Sequence, residues 1–430
     1  MILPLPQARM FSCLLALVFV SPLIQGGKVQ VVSSPIQAPG TAHKQVKGAV
    51  KSPAPGAGKT EAKGTGKAQP PWPTNKACLE FATALYEQGR REEALVALEN
   101  ELNRAPRDAK LIELKADIEQ YDCRYVESIR DYDKVIALSQ NLLDAYVGRG
   151  ISLIRLGKYE AARQDLKKAI KLPGGDEYVG WIEEADNLEY DEKHKITDNA
   201  RLWALACSAL LMSKTSCGLN SLAGEEVTNK ARAEERHLVN EYWGIGNRSD
   251  LLNMLESQVH DGHDRLWRDM KRARGNPLFL FPYRAHWDKT SSYDQAAELV
   301  NLHGVEFGDR GLLAWDYCRY ICICRWGFIC GYISEKEAWM LMMPMAARIQ
   351  SIYANWEQLS NEYLVGRDFW SHDDYVDDEW EYLKLQHWLL ASPTSPWVKL
   401  PWKTPLGCSG TDKAIYAAIE KVRSVDQKAH

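Results

Sequence analysis

From Asn75 onward the chain keeps a period of 34 residues through three units, and a period of that length leaves few architectures open. With units starting at Asn75, Ala109 and Leu143, the eighth positions are Ala82, Ala116 and Gly150 and the twentieth are Ala94, Ser128 and Ala162, all small. The fifteenth positions are Gly89, Cys123 and Gly157, and the seventeenth are Arg91, Tyr125 and Tyr159. Small residues at the eighth and twentieth places let two helices approach closely, the glycine between them marks a turn, and the aromatic fills the gap beside the pair. Each unit is then a helical hairpin that buries its apolar face only by stacking on its neighbours.

These units resemble tetratricopeptide repeats, of which AYVGRGISLIRLGKYEAARQDLKKAIKLP is the clearest, with Pro106 at the family's helix-ending position in the first. The stretch from Glu177 to Lys195 carries Trp181, Ile182, Ala185 and Leu188 at helical spacing and reads as a helix that caps the solenoid. The resemblance implies a protein or peptide partner held in the solenoid's groove.

What precedes the repeats has another texture. Residues 1–26 hold a single charge, Arg9, and an apolar run from Phe11 to Val20, which is the pattern of a secretory signal peptide or, if uncleaved, an N-terminal anchor. Residues 27–74 are a Lys/Pro/Gly/Ala linker with seven lysines against the single Glu61, a composition that disfavours a packed core. The expected location is therefore periplasmic or secreted, with membrane contact only through the N-terminal segment. Within the linker, GAGKT at Gly56–Thr60 imitates a phosphate loop, but Pro53 stands where its first glycine is required. The linker is +6 and the chain as a whole −4, so the part from Asn75 is moderately acidic, which argues against a nucleic-acid groove as its main business.

After Thr197 strand-like alternation is scarce and thirteen of the fifteen tryptophans lie between Trp203 and Trp402. The whole reads as all-α: a helical-hairpin solenoid over 75–195, a Trp-rich globular domain over 196–410, and a C-terminal helix or tail over 411–430. Caps are expected at Ser249, at Ser334 with Glu337, and at Asn355 with Gln358, and a stop is expected at Gly331. The run DYCRYICICRWGFICGY places Cys318, Cys322, Cys324 and Cys330 on one helix. There Cys318 and Cys322 share a face while the other two diverge, so the four do not converge on a metal. A bridge between Cys318 and Cys322 is disfavoured because i,i+4 Cβ atoms stand about 5–6 Å apart and a disulfide wants roughly 3.5–4.5 Å. The thiols are expected to be core.

The C-terminal half resembles the bacterial domain of unknown function 1266 family. The resemblance rests on Trp315, Asp316, Arg319, Gly331–Ser334, Glu337–Trp339, Trp356, Tyr363, Gly366, Arg367, Phe369 and Trp370, with GLNSLAG, EYWGIGNRSDLLNMLE and Gly262-His263 upstream. It brings no established reaction with it.

Two readings follow from the residues. On the helix after Asn355, Trp356, Leu359, Tyr363, Arg367 and Trp370 form one face, and on the cysteine helix Trp315 and Arg319 flank another. In the first reading Asp316, Arg319, Glu337 and Arg367 form a closed lattice of ion pairs and cation–π contacts, with Glu337 also capping its helix. In the second they line a cleft with Trp315, Trp356, Tyr363 and Trp370, where arginines hold an anionic or carbonyl ligand and an acid handles protons. A metal is not expected; His260 and His263 give H-x-x-H but lack the glutamate of the zinc-protease form. The acidic SHDDYVDDEWE lacks the calcium-loop spacing, and Gly244–Gly246 reads as a helix break. The expected function is an exported interaction or adaptor protein without a cofactor; the alternative is a hydrolase-like or toxin-like effector using the four polar residues.

Overall fold

A computed structural model describes residues 74–139, 142–260, 262–273, 290–371 and 376–426, and the elements among these residues are helices with no strand. The apolar run, the lysine-rich linker and GAGKT lie outside the described residues.

The repeats give three hairpins: α1 (Asn75–Glu87) with α2 (Arg91–Leu102), α3 (Ala109–Tyr121) with α4 (Tyr125–Leu138), and α5 (Leu143–Arg155) with α6 (Tyr159–Ala169). The first helix of each hairpin starts at the residue that the period predicts. Thr74 and Asp108 accept backbone N–H groups at the starts of α1 and α3. Ala82, Ala116, Ala94, Ser128 and Ala162 are fully buried, and a Cβ on Gly150 would stand 3.1 Å from Leu166 Cγ, so the small positions are where the hairpins close. The fifteenth position is left-handed each time, with φ of 75° at Gly89, 59° at Cys123 and 71° at Gly157. First helices pack on one another, α1 on α3 and α3 on α5, and line the inner face of the stack. The helix α7 (Gly180–Lys193) closes it, burying Trp181 and Ala185 in one cluster with Val147, Ile151 and Ile154.

The remainder is built around α14 (Leu313–Ile329), the cysteine-bearing helix. Before it come α8 (Asn199–Ala206), α9 (Ala209–Lys214), α10 (Asn229–Trp243), α11 (Arg248–His260), α12 (His263–Arg272) and α13 (Thr290–Phe307). After it come α15 (Glu335–Ile352), α16 (Trp356–Trp370), α17 (Val376–Ala391), a helical turn at Pro396–Lys399, and α18 (Asp412–Asp426). Helices α9, α10, α11, α12, α15 and α16 all pack on α14. A helix apolar on every side must be surrounded in this way. Cys318, Cys322, Cys324 and Cys330 are free and buried, as packing residues would be. Burial pushes the Cys322 and Cys330 thiols up to about 12, which keeps them protonated and unreactive.

The caps follow the sequence with one correction. Ser334 and Glu337 form a capping box and Asn355 accepts from Gln358 N. Gly244 and Gly331 end their helices in the left-handed region. At α11, however, the cap is Asn247 rather than Ser249: Asn247 Oδ1 accepts from Asp250 N at 3.0 Å and the helix already includes Arg248.

Candidate functional site

The strongest polar centre joins α12 to α14. Asp316, fully buried on α14, accepts the backbone N–H groups of His263 at 3.1 Å and Asp264 at 3.0 Å. It thus supplies from another element the cap that Gly262, with no side chain, cannot give α12. Glycine is required there because a Cβ would lie 2.2 Å from Asp316 Oδ2. The favour is returned: Asp264 Oδ1 accepts from Leu312 N at 3.0 Å at the start of α14, beside Gly311, whose φ is 49°. Burial raises the Asp264 carboxyl to about 6.

Arg319 completes the centre. Its guanidinium stands 4.0 Å from Asp316, donates Nη1–H to His263 Nδ1 at 3.0 Å, and lies between the rings of Trp243 at 4.4 Å and Trp315 at 4.8 Å. The same Nδ1 stands 3.2 Å from Asp316 Oδ1, so this ring nitrogen sits between the guanidinium and the carboxylate. Burial, aided by Arg319, lowers the His263 pKa and keeps the ring neutral. His263 Nδ1 is thus taken up by the Asp316–Arg319 pair.

The eight residues singled out on helical faces do not form one site. Trp315 meets Tyr363 at 5.0 Å and Trp370 at 5.8 Å, so these three belong with Asp316 and Arg319. The Tyr363 hydroxyl and Trp315 Nε1 are shielded there without a hydrogen-bond partner. Trp356 belongs elsewhere, in a nest with Trp203 at 4.8 Å, Trp402 at 4.8 Å and Trp397 at 5.5 Å, its Nε1 donating to Leu400 O at 3.0 Å. Glu337 pairs with Arg248 through two bonds of 2.7 and 3.2 Å, and with the Ser334 cap these contacts hold its carboxyl down to about 2 despite partial burial. Arg248 also donates to Tyr332 O and Val422 O, tying α11, α15 and α18 together. Arg367 donates to Asp368 at 3.0 Å and covers the Tyr382 ring at 4.7 Å; the acid beside it is its chain neighbour, not Asp316 or Glu337. His260 ends α11.

Sequence reasoning missed Arg325. Fully buried in the cysteine run, it donates to Leu222 O at 2.9 Å, Gly218 O at 2.6 Å and Ser208 Oγ at 2.9 Å. The same loop is held from the other side by Asp191 of α7, which accepts from Asn220 N at 2.8 Å and Ser221 N at 2.7 Å. This double grip explains GLNSLAG. A Cβ on Gly218 would lie 2.1 Å from Asp191 Cγ, and one on Gly224 would lie 2.4 Å from Gly218 O. The available signal was the pair of glycines bracketing small and polar neighbours, together with an arginine in an otherwise apolar helix.

A second join lies at the inner face of the solenoid. From α17, His387 stacks on Tyr121 with ring centroids 4.9 Å apart and Trp388 lies under the Arg155 guanidinium at 5.1 Å. Lys384 feels the Asp117 carboxylate, and Ala391 and His387 line a 460 Å³ hollow with Gly89, Arg91, Asp122 and Arg124. Residues 384, 387, 388 and 391 fall at i, i+3, i+4 and i+7, one stripe of the helix. Its other side holds Tyr382 and Leu389 buried, with Gln386 donating to Ser360 on α16. The link between the two halves is thus wider than the capping helix that the sequence suggests.

Residues 239–402 match the profile of a family described as "Protein of unknown function (DUF1266)". Two Escherichia coli (strain K12) proteins are similar to the chain: uncharacterized protein YbeR, 29% identical over 142 residues, and uncharacterized protein YbeU, 25% identical over 144. These matches cover 31% and 32% of this chain, and in each case the chain spans 58% of the relative's length. Among solved structures the TPR domain of P58(IPK) aligns with a TM-score of 0.26 and 14% identity, over 72% of this chain and 97% of that one.

Proposed function

We propose that the protein is an exported adaptor whose solenoid binds a protein partner and whose C-terminal domain is a rigid mount for it. The observation that carries this reading is the way the candidate polar residues are used. Asp316, Arg319, Glu337 and Arg367 are divided among separate sets of contacts, and the first two are 0% and 5% exposed. Each carboxylate is spent on a helix end or an arginine, an arrangement that serves helix order rather than turnover. The solenoid carries Glu113, Asp117 and Tyr121 at helical spacing on its inner face, with Asp117 accepting from the Tyr132 hydroxyl and Tyr121 stacked on His387.

Affinity purification of the full chain from its native host tests the reading, with Asp117→Asn/Tyr121→Ala as the control. A protein that co-purifies in stoichiometric amount with the unaltered chain and not with the control is expected. Equal recovery with both chains would remove the inner face from the proposal. Export rests on the apolar run from Phe11 to Val20; no helix among the described residues is long and apolar enough to cross a membrane. Residues 1–74 fused to a reporter active only outside the cytoplasm should give signal, and deletion of Phe11–Val20 should abolish it.

A further inference from the structure

We infer that α17 is a resident ligand of the solenoid, and that the inner face is a receptor for a partner helix presenting a basic side chain with an aromatic ring three or four residues further on. The inference rests on the proposed adaptor role and specifies how its site is regulated.

The stripe on α17 has the form of a bound helix. On its stripe at i, i+3, i+4 and i+7, His387 stacks on Tyr121, Trp388 lies under Arg155 and Ala391 walls the hollow, while Lys384 brings a positive charge into the field of Asp117. Contact from one face of an amphipathic helix across successive repeats is the helix-in-groove mode of recognition.

The grip is also partial. Lys384, His387 and Trp388 are half-buried and Ala391 is exposed. Trp388 Nε1 and His387 Nε2 are shielded from water without a hydrogen-bond partner, a cost that a better-fitting occupant would avoid.

Charge identifies that occupant. Glu113 and Asp117 stand one turn apart on α3, and Asp144 lies in the first turn of α5, which packs on α3; burial, and then the repulsion of the other two, raises the Glu113 carboxyl. Lys384 is the cation that α17 brings to them, and a helix carrying more than one lysine or arginine would neutralise more of this field. A ligand that binds the face only when α17 leaves must compete with it, so its apparent affinity falls by the fraction of chains in which the face is free.

The probe is a fluorescein-labelled peptide copying residues 381–392, EYLKLQHWLLAS, followed by anisotropy with the full chain. Trp388→Ala and Lys384→Glu, both altering half-buried positions of the stripe, are each expected to bind the peptide at least ten-fold more tightly than the unaltered chain. Adding Tyr121→Ala to either should abolish the gain. Folded variants that gain nothing, or a gain indifferent to Tyr121→Ala, would overturn the inference. Hydrogen exchange on the unaltered chain tests displacement without substitution. Saturating peptide should speed exchange of the amides in 384–391, and unchanged exchange counts against displacement. No external partner takes part, so a failed purification and a failed peptide titration remain distinguishable.

Discussion

Cys123 is the residue at which the repeat departs from its own rule. Gly89 and Gly157 hold the same turn at φ of 75° and 71°, and a Cβ at either would touch nothing within 4 Å, so only the left-handed backbone favours glycine there. Cys123 adopts φ of 59° with a side chain, against a steric cost of about 1–2 kcal/mol that glycine does not carry. Glycine's looser unfolded chain offsets part of this. Cys123→Gly is expected to stabilise the protein by about 0.5–1 kcal/mol, read from the urea midpoint; a lower midpoint would mean that the thiol's contacts outweigh the strain. Glu337 gives a pH-dependent counterpart. Its folded carboxyl lies at about 2, below the unfolded value, so its contribution is fully present above about pH 4.5 and is lost as pH falls towards 2. Glu337→Gln should cost about 2–3 kcal/mol at pH 7, and the melting curves of the two proteins should converge in acid. Asp264 has the opposite sign. Raised to about 6, it weakens the fold as pH rises through that value, and Asp264→Asn should gain stability at pH 8 and little at pH 5.

At the scale of elements, what the sequence makes legible is what lies within one helical turn. The starts of α1, α3 and α5, the capping box at Ser334 and the stops at Gly244 and Gly331 are local patterns, and all are found where they are read. The caps made at a distance are not. Asp316 serves His263 and Asp264 across 53 and 52 residues, and Arg325 reaches Leu222 across 103, so neither partner can be inferred from spacing. Helical periodicity put Trp356 and Trp315 on comparable aromatic stripes, yet they face different neighbours because stripe geometry does not say which helix comes alongside. The grip on the loop 216–224 can be weighed. Arg325→Met leaves the buried carbonyls of Gly218 and Leu222 without their donor, at about 1–3 kcal/mol each. It should destabilise far more than Cys324→Ala at the preceding residue. Arg325→Lys should fall between, since a single ammonium cannot reproduce the planar fork. Equal midpoints for Arg325→Met and Cys324→Ala would show that water satisfies the carbonyls.

The whole molecule turns on how the solenoid is joined to the globular domain. The change of texture near Thr197 suggests two modules that unfold independently, but among the described residues two sets of contacts cross it. One is Asp191 of α7 holding Asn220 and Ser221; the other is the α17 stripe on Tyr121 and Arg155. The first is buried and charged, and its removal strands two backbone N–H groups together with the Ser221 hydroxyl that donates to Asp191. The second is half-exposed and built from rings. Cooperativity follows the free energy shared across such joins: when it exceeds the difference in stability between the parts, they melt together. The full chain should therefore show one calorimetric transition. Trp388→Ala alone should lower and broaden it, and Asp191→Ala/Trp388→Ala should split it into two, the solenoid separating from the Trp-rich domain. Two transitions in the unaltered chain would restore independent modules. A single transition in the double variant would place the coupling in the α7 core, where Trp181 and Ala185 pack on the third repeat.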